Sequence, residues 1–309
     1  MLRNTFLTLS QSERLRKFAS GFAPARKVSR RFVAGEQLRE AIGVLQSLKK
    51  ENLLATLDFL GENTNSETEA NFYTDEQIRA IDAVAAAGLE PNVSLKLTAM
   101  GLDISDDLAT RNLRRLLERA KRHDGSFVRI DMESSDYIDR TLAIYERMRA
   151  EGFDNVGTVI QSYLYRSEKD ILHLIEMGAK VRLVKGAYDE PPHLAFPDKE
   201  DVDKNYVHLM KLLLSAESRA KGVYTALATH DPAMVSATKQ FAAETNIPRD
   251  HFEIQMLYGI ATSMHHQLAG EGYKFRVYVP YGTHWYPYFM RRMAERPANI
   301  WFVLRGMFR

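Results

Sequence analysis

The sequence contains no cysteine, and its 42 basic side chains nearly balance its 40 acidic ones. The absence of cysteine excludes disulfide bridges, thiolate zinc sites, iron–sulfur clusters and cysteine nucleophiles. The even charge balance argues against a general nucleic-acid-binding protein, so we expect no nucleic-acid partner. No apolar run approaches the ~20 residues of a membrane-spanning helix, and the N-terminus lacks the pattern of a cleaved signal peptide. We therefore expect a cytoplasmic protein whose redox chemistry, if it has any, uses a bound cofactor.

Charge is distributed unevenly along the chain. Residues 1–50 hold 11 basic and 3 acidic side chains, so a segment of charge +8 precedes a body of charge −6. Helical patterns cover 7–22 and 36–50 within this segment. We predict an N-terminal helical arm over 1–50, followed by a catalytic domain over 51–309. The arm is either an anion-binding surface or an ordinary solvated helical segment.

Beyond residue 50, short apolar runs alternate with helical patterns eight times. The strand candidates are 53–61, 93–98, 127–133, 157–163, 181–187, 224–230, 252–257 and 275–281. Regular alternation predicts an α/β protein with a parallel sheet, and eight units in ~250 residues favour a (β/α)8 TIM-type barrel. A doubly wound dinucleotide fold is less favoured, because no G-x-G-x-x-G follows the first strand.

Polar residues stand near the ends of all eight predicted strands. They are Asp58, Glu62, Lys96, Thr98, Asp131, Glu133, Gln161, Arg182, Lys185, Thr229, His230, Glu253, Gln255, Tyr278 and Tyr281. Because the active sites of (β/α)8 enzymes lie at the C-terminal ends of the strands, this pattern predicts an active site there. The pairs His230-Asp231 and His265-His266 lack the spacing of common metal motifs, so we expect no catalytic metal.

Two adjacent arginines follow the last predicted strand. Tyr288, Arg291 and Glu295 lie three and four residues apart on one helical face, and Arg292 lies three before the same glutamate. One carboxylate can orient both guanidinium groups, whose fork would bind a substrate carboxylate. The alternative is a surface salt-bridge cluster.

Lysines mark two other strands. Lys96 would point into the barrel with Asp131 as its partner, and such a pair would suit a bound zwitterion. The pair could equally be a structural ion pair, or Lys96 could be the Schiff-base lysine of an aldolase-like barrel. Lys185 would suit a phosphate, and Gly186 would let the backbone approach a ligand closely.

Taken together, these motifs resemble the proline dehydrogenase family in its short, monofunctional bacterial form. The matching stretches are Val93-Ser-Leu-Lys-Leu-Thr, Asp131-Met-Glu-Ser, Val159-Ile-Gln-Ser-Tyr, Arg182-Leu-Val-Lys-Gly-Ala-Tyr188, Ala228-Thr-His230, Phe252-Glu-Ile-Gln-Met-Leu-Tyr-Gly259, Tyr278-Val-Pro-Tyr-Gly and Tyr288-x-x-Arg-Arg-x-x-Glu295. They follow one another in the family's order.

The resemblance implies a distorted (β/α)8 barrel with extra N-terminal helices and noncovalently bound FAD. It also implies oxidation of L-proline to Δ1-pyrroline-5-carboxylate by hydride transfer to flavin N5, with electrons passed to a membrane quinone. The catalytic residues it implies are Lys96, Asp131 and Arg182. The substrate-binding residues are Lys96, Ala187, Leu257, Tyr278, Tyr288, Arg291, Arg292 and Glu295. The cofactor-binding residues are Gln161, Arg182, Lys185, Gly186, Ala187, Thr229, His230 and Glu253.

The sequence departs from the large bifunctional members of that family. Asp189 follows Tyr188 where they usually have Trp, and Asp231 follows His230 where they usually have Asn. No aldehyde dehydrogenase domain follows, so a separate pyrroline-5-carboxylate dehydrogenase would carry out the second oxidation. The aromatic and basic segment 301–309 either contacts the inner face of the cytoplasmic membrane or packs on the barrel. Two alternatives remain: an aldolase-like enzyme using Lys96 or Lys185, and a non-catalytic protein that binds anions or membrane surfaces.

Overall fold

A computed structural model describes the backbone of residues 29–295 and the side chains of 29–292. Within this part of the chain, eight parallel strands are hydrogen-bonded in sequence order, and β8 pairs with β1 to close a barrel. The strands are β1 (Leu54–Phe59), β2 (Asn92–Leu95), β3 (Phe127–Ile130), β4 (Val156–Gln161), β5 (Lys180–Val184), β6 (Tyr224–Ala228), β7 (Phe252–Leu257) and β8 (Lys274–Tyr281). The predicted (β/α)8 TIM-type barrel is therefore confirmed.

Helices connect the strands and surround the barrel. They are α1 (Leu38–Lys50), α2 (Glu67–Ala86), α3 (Asp106–Ala120), α4 (Ile138–Ala150), α5 (Ser167–Glu176), α6 (Lys199–Leu214), α7 (Ala216–Ala220), α8 (Pro232–Glu244), α9 (Thr262–Gly270) and α10 (Trp285–Glu295). Short 3-10 helices, Thr98–Met100 and Ser135–Tyr137, follow β2 and β3. Among the helices of this described region, none has the length and apolar character needed to cross a membrane.

Side-chain caps fix where several helices begin. Ser66 accepts a hydrogen bond from a backbone N–H in the first turn of α2, and Ser105 does the same for α3. At α8 the cap is Asp231, followed by Pro232 at a position where a proline costs no backbone hydrogen bond. Such a cap stabilises a helix by ~1 kcal/mol. The cap on α8 also fixes the loop that carries His230.

Several strands are shorter than the sequence predicts. β2 ends at Leu95 and β3 at Ile130, so Lys96 and Asp131 begin the loops that follow. The apolar alternation continues through Lys96-Leu97-Thr98, but Leu97 has a right-handed helical backbone and starts a 3-10 turn. This turn places Lys96 at the mouth of the barrel rather than in its wall.

Only part of the predicted N-terminal arm is described. The predicted helix at 7–22 and the C-terminal segment 301–309 lie outside the described residues. The second predicted helix is α1, whose buried Ala41, Leu45 and Leu48 pack it against β1 and β8. The preceding segment is hydrogen-bonded to the end of β8, since the Ala34 N–H donates to the Pro280 carbonyl over 2.8 Å. The described part of the arm therefore packs on the barrel, and the domain boundary at residue 50 stays a prediction.

Candidate active site

A cavity of about 350 Å³ opens at the C-terminal ends of the strands. Its lining includes Asp58, Lys96, Asp131, Gln161, Arg182, Lys185, Gly186, Ala187, Tyr188, Thr229, His230, Leu257, Tyr278, Tyr288, Arg291 and Arg292. The volume falls in the range of small-molecule sites, ~300 to 1,000 Å³. The fold thus brings together every predicted site residue whose side chain is described, except Glu253. Asp58 and Tyr188 are additional members.

Arg182 lies at the centre of the polar network beneath this cavity. Its Nη1 donates to Asp131 over 2.6 Å, its Nε donates to Gln255 over 2.6 Å, and its Nη2 donates to Ser94 over 3.0 Å. The guanidinium carbon lies 5.3 Å from the centre of the Tyr278 ring, within cation–π range. Four groups from different strands and loops thus hold one fixed positive charge inside the barrel.

Asp131 is the partner of Arg182, which corrects the predicted Lys96–Asp131 ion pair. One carboxylate oxygen accepts from Arg182, and the other accepts from the Tyr278 hydroxyl over 2.7 Å. In the described part of the chain, no ion pair of 4.0 Å or shorter joins Lys96 to Asp131. The physical reason is that a guanidinium, with several donors in one plane, reaches Asp131 across the barrel and occupies the position expected for the ammonium.

Lys96 is buried, with 9% of its surface exposed, and lies among three carboxylates that act on its charge. Burial alone would lower the pKa of its ammonium, but the negative charges of Asp58, Glu62 and Asp131 raise that pKa above its ordinary value. Among the described residues, no hydrogen bond or ion pair engages the ammonium directly. Lys96 therefore supplies a cation to the cavity.

Glu62 binds Arg291, a pairing that the sequence analysis missed. Nη1 of Arg291 lies 2.8 Å from one carboxylate oxygen, and Nη2 lies 3.3 Å from the other. Burial alone would raise the pKa of Glu62, but the charge of Arg291 outweighs it and lowers that pKa. The predicted orienting residue, Glu295, has a side chain outside the described residues. Glu62 was already among the polar strand-end residues, and only its partner could not be predicted.

Glu253 does not reach the predicted cofactor site. It is the second residue of β7 and lines a separate cavity at the opposite end of the barrel, where Arg276 binds it over 3.0 Å. Glu253 and Gln255 share the inward face of β7, but two residues along a strand span ~6.6 Å. Only Gln255 therefore lies close enough to the mouth to bind Arg182.

Lys185 is held by two aspartates. Its ammonium lies 2.6 Å from Asp231 and also binds Asp203. Burial opposes ionisation of Asp231, but hydrogen bonds from Lys185 and Lys199 lower its pKa to about 2. Asp231 thus caps α8 and also binds the lysine that was expected to suit a phosphate.

The remaining polar groups of the cavity are fixed by the backbone. Nε2 of His230 accepts from the Leu257 N–H over 2.9 Å, which holds the end of β6 against the end of β7. Gln161 donates to the Glu133 carbonyl over 3.1 Å, while its buried Oε1 has no hydrogen-bond partner among residues 29–292. Gly186 has a φ of +119°, and a Cβ there would overlap the Tyr163 ring, so only glycine fits.

Comparisons with known proteins identify the family of this chain. A family model described as "Proline dehydrogenase" matches residues 41–305. Proline dehydrogenase 1 of Bacillus subtilis (strain 168) is 48% identical over 307 residues, which cover 99% of each chain. Proline dehydrogenase of Deinococcus radiodurans is 44% identical over 284 residues, covering 91% of this chain and 90% of that one. Among solved structures, the chain is similar to the crystal structure of proline utilization A (PutA) from Bdellovibrio bacteriovorus inactivated by N-propargylglycine, with a TM-score of 0.81 and 29% sequence identity. The match covers 88% of this chain and 33% of the PutA chain. The resemblance drawn from the motifs is confirmed, and the chain belongs to the proline dehydrogenase family.

Proposed function

We propose that this chain oxidises L-proline to Δ1-pyrroline-5-carboxylate, with noncovalently bound FAD and a quinone as the electron acceptor. The observation that carries the proposal is the set of cations at one cavity. Lys96, Arg291 and Arg292 line the same cavity, above the fixed charge of Arg182. Family membership supplies the reaction class, and the cavity supplies groups that suit a small zwitterion.

The substrate carboxylate would bind at the Arg291 end of the cavity. Paired arginines recognise a carboxylate by parallel N–H···O bonds, and Lys96 adds a further cation. Leu257, Tyr278 and Tyr288 offer apolar surface for the ring. This arrangement would fix the substrate in one orientation, which is what positioning contributes to a unimolecular transfer.

The residues of the cavity fit a flavin. The unpartnered, buried Oε1 of Gln161 suits an N–H donor of a flavin ring, and Gly186 leaves backbone rather than a side chain facing the ligand. The residues that would hold the cofactor are Gln161, Arg182, Lys185, Gly186, Ala187, Thr229 and His230. When bound, FAD supplies the two-electron acceptor for the C–H bond next to the ring nitrogen. Arg182 would stabilise negative charge nearby, because its guanidinium is already fixed by Asp131 and Gln255.

The aldolase-like alternative is disfavoured by the state of both lysines. A Schiff-base lysine attacks as a neutral amine. The surrounding carboxylates raise the pKa of Lys96, and Lys185 is bound by Asp203 and Asp231. The carboxylates around Lys96 oppose the loss of its proton, and the amine of Lys185 is engaged by two aspartates rather than free to attack.

The test is the visible absorption spectrum of the purified protein, recorded before and after L-proline is added without oxygen. We expect flavin bands that bleach with proline and return when a soluble ubiquinone analogue is added. Flavin bands that persist after proline is added would show that the protein binds a flavin but oxidises a substrate other than proline. A colourless protein that stays inactive after FAD is supplied would overturn the proposal.

Delivery of electrons to a membrane quinone implies a peripheral contact with the membrane. Sedimentation with liposomes, comparing the full chain with a variant ending at Asn299, tests the aromatic and basic segment 301–309. We expect weaker binding of the shortened variant, and equal binding would discard that segment as the contact. The pyrroline-5-carboxylate formed would pass to a separate dehydrogenase.

A further inference from the structure

Asp58, the fifth residue of β1, is the unexplained charge of the cavity. Its side chain lines the cavity, and only 1% of its surface is exposed. Neither carboxylate oxygen has a hydrogen-bond partner within 3.5 Å among the described residues; the Tyr278 hydroxyl, which also acts on Asp58, donates to Asp131. A buried carboxylate without partners is costly, at several kcal/mol in general. Its position is therefore explained best by a ligand that provides the missing donor.

The other carboxylates near the cavity are already engaged. Glu62 binds Arg291, Asp131 accepts from Arg182 and Tyr278, and Glu133 accepts from the backbone N–H and hydroxyl of Thr98. Glu133 also lies outside the lining of the cavity. Within residues 29–292, Asp58 is thus the cavity carboxylate for which neither oxygen has a hydrogen-bond partner within 3.5 Å.

The cavity also holds a cation that interacts with this carboxylate. Lys96 lines the same cavity, and each of the two groups shifts the pKa of the other, but no ion pair of 4.0 Å or shorter joins them in the described region. A cavity that holds a cation and a carboxylate without a direct ion pair between them is complementary to an amino acid zwitterion. Lys96 and the arginines would face the substrate carboxylate, and Asp58 would face its ammonium.

We propose that Asp58 binds the secondary ammonium of the substrate and takes one of its two protons. This inference rests on the proposed function. The N–H bond breaks, its electron pair stays on nitrogen, and the proton forms an O–H bond on the Asp58 carboxylate. No electrons leave the substrate in this step. The amine is then neutral, and its lone pair can form the C=N bond when the neighbouring C–H bond is oxidised.

The surroundings of Asp58 suit a proton acceptor. Burial is the largest influence on the pKa of its carboxyl and raises it, as do the charges of Asp131 and Glu62. The charge of Lys96 and the Tyr278 hydroxyl lower it. The net result is a pKa above the ordinary value. An alkylammonium has a pKa near ~10. A carboxyl with a raised pKa is therefore better matched to this proton donor than an ordinary carboxyl, whose pKa is much lower.

The first test compares the pH dependence of kcat/KM for proline in three proteins. In the wild type we expect a plateau above the pKa of Asp58, because the enzyme removes the proton itself. In Asp58→Asn we expect a loss of ~10² to 10⁴ near pH 7, the usual contribution of a general base. That loss should shrink about tenfold per pH unit toward the pKa of free proline, since only deprotonated substrate reacts. Asp58→Glu should restore part of the plateau.

Glu133→Gln is the matched control, because it neutralises a buried carboxyl of the same neighbourhood outside the cavity lining. Burial raises the pKa of Glu133 to about 7, so this variant can alter the profile near that pH, but its activity should not rise toward the pKa of free proline as that of Asp58→Asn does. A curve for Asp58→Asn that runs parallel to the wild type at every pH would overturn the proposal. If the wild type itself does not oxidise proline, the proposed function fails instead.

The second test measures binding without turnover, using cyclopentanecarboxylate, which has CH₂ in place of the ring nitrogen. In the wild type this ligand leaves the Asp58 charge unpaired, so Asp58→Asn should bind it about tenfold more tightly, equivalent to ~1.4 kcal/mol. Glu133→Gln should bind it as the wild type does. Equal or weaker binding by a folded Asp58→Asn contradicts the proposal. Asp58→Ala serves as the neutral variant if the amide does not fold.

Discussion

Arg291 and Glu62 form a two-pronged ion pair, with Nη1–Oε1 and Nη2–Oε2 distances of 2.8 and 3.3 Å. The pair joins helix α10, after the last strand, to the loop after the first. Glu62 thus binds the two guanidinium nitrogens of Arg291 that, in the proposed function, would bind the substrate carboxylate. Substrate binding would therefore exchange one carboxylate for another at Arg291, and Glu62 competes with the substrate.

Glu62→Gln should strengthen carboxylate binding. Removing the competing charge frees the guanidinium while keeping the shape of the side chain. We expect the inhibition constant of cyclopentanecarboxylate to fall about fivefold, equivalent to ~1 kcal/mol, the usual net contribution of one hydrogen bond. Steady-state inhibition measures this, with Glu67→Gln on the exposed start of α2 as the control. An unchanged or higher inhibition constant would show that Glu62 orients Arg291 rather than competing for it.

Arg291→Lys and Arg292→Lys should each raise the KM for proline much more than they change flavin content. A point ammonium cannot reproduce two parallel N–H···O bonds, so we expect a rise of ~10-fold or more. Flavin absorbance per protein measures the cofactor, and steady-state kinetics measure KM. An unchanged KM in both variants would remove these residues from carboxylate binding.

Asp131→Asn should lower kcat at least tenfold with flavin retained. Arg182 would lose its 2.6 Å charged hydrogen bond, and its guanidinium would no longer be held in one position. Ser94→Ala is the matched control, because it removes a neutral partner of the same guanidinium at 3.0 Å. We expect a smaller loss in that variant. Equal losses in the two variants would argue against a special role of the Asp131 charge.

Asp231→Asn should reduce thermal stability in a pH-dependent way. Burial raises the pKa of Asp231, but hydrogen bonds from Lys185 and Lys199 outweigh it and lower that pKa to about 2, below the ~3.9 of an unfolded aspartate. The stabilisation is therefore present above pH ~4 and is lost as pH falls toward 2. Calorimetry should show a Tm a few degrees lower for the variant at pH 6, and the difference should shrink between pH 4 and pH 2. A constant difference over that window contradicts the linkage.

Gly186→Ala should destabilise the loop after β5, because a Cβ would overlap the Tyr163 ring at a φ of +119°. We expect a loss of ~2 kcal/mol or more in the free energy of unfolding by urea. Gly43→Ala is the matched control, since nothing lies within 4 Å of a Cβ there and the residue is inside α1. That variant should gain ~0.5 to 1 kcal/mol. A neutral Gly186→Ala would show that the loop can move away from Tyr163.

Local patterns were sufficient to predict the barrel. Buried parallel strands read as short apolar runs, and eight of them in ~250 residues leave few other architectures. Strand ends were less predictable, as Lys96 shows, because the alternation around it continues while Leu97 already turns. The location of the site also followed from the sequence, since polar residues at the strand ends meet at one face of such a barrel.

The sequence by itself determined the architecture, the family and nearly all members of the cavity, because these depend on local order along the chain. Only the tertiary structure decided which charged side chains form ion pairs with each other. Asp131 was expected to bind Lys96, but it binds Arg182 from across the barrel, and Glu62 binds Arg291 from the far end of the chain. Ion pairs depend on distances of a few ångströms between residues far apart in sequence, which no local pattern encodes. The same long-range geometry leaves Asp58 unpaired, although the sequence shows it as one carboxylate among several.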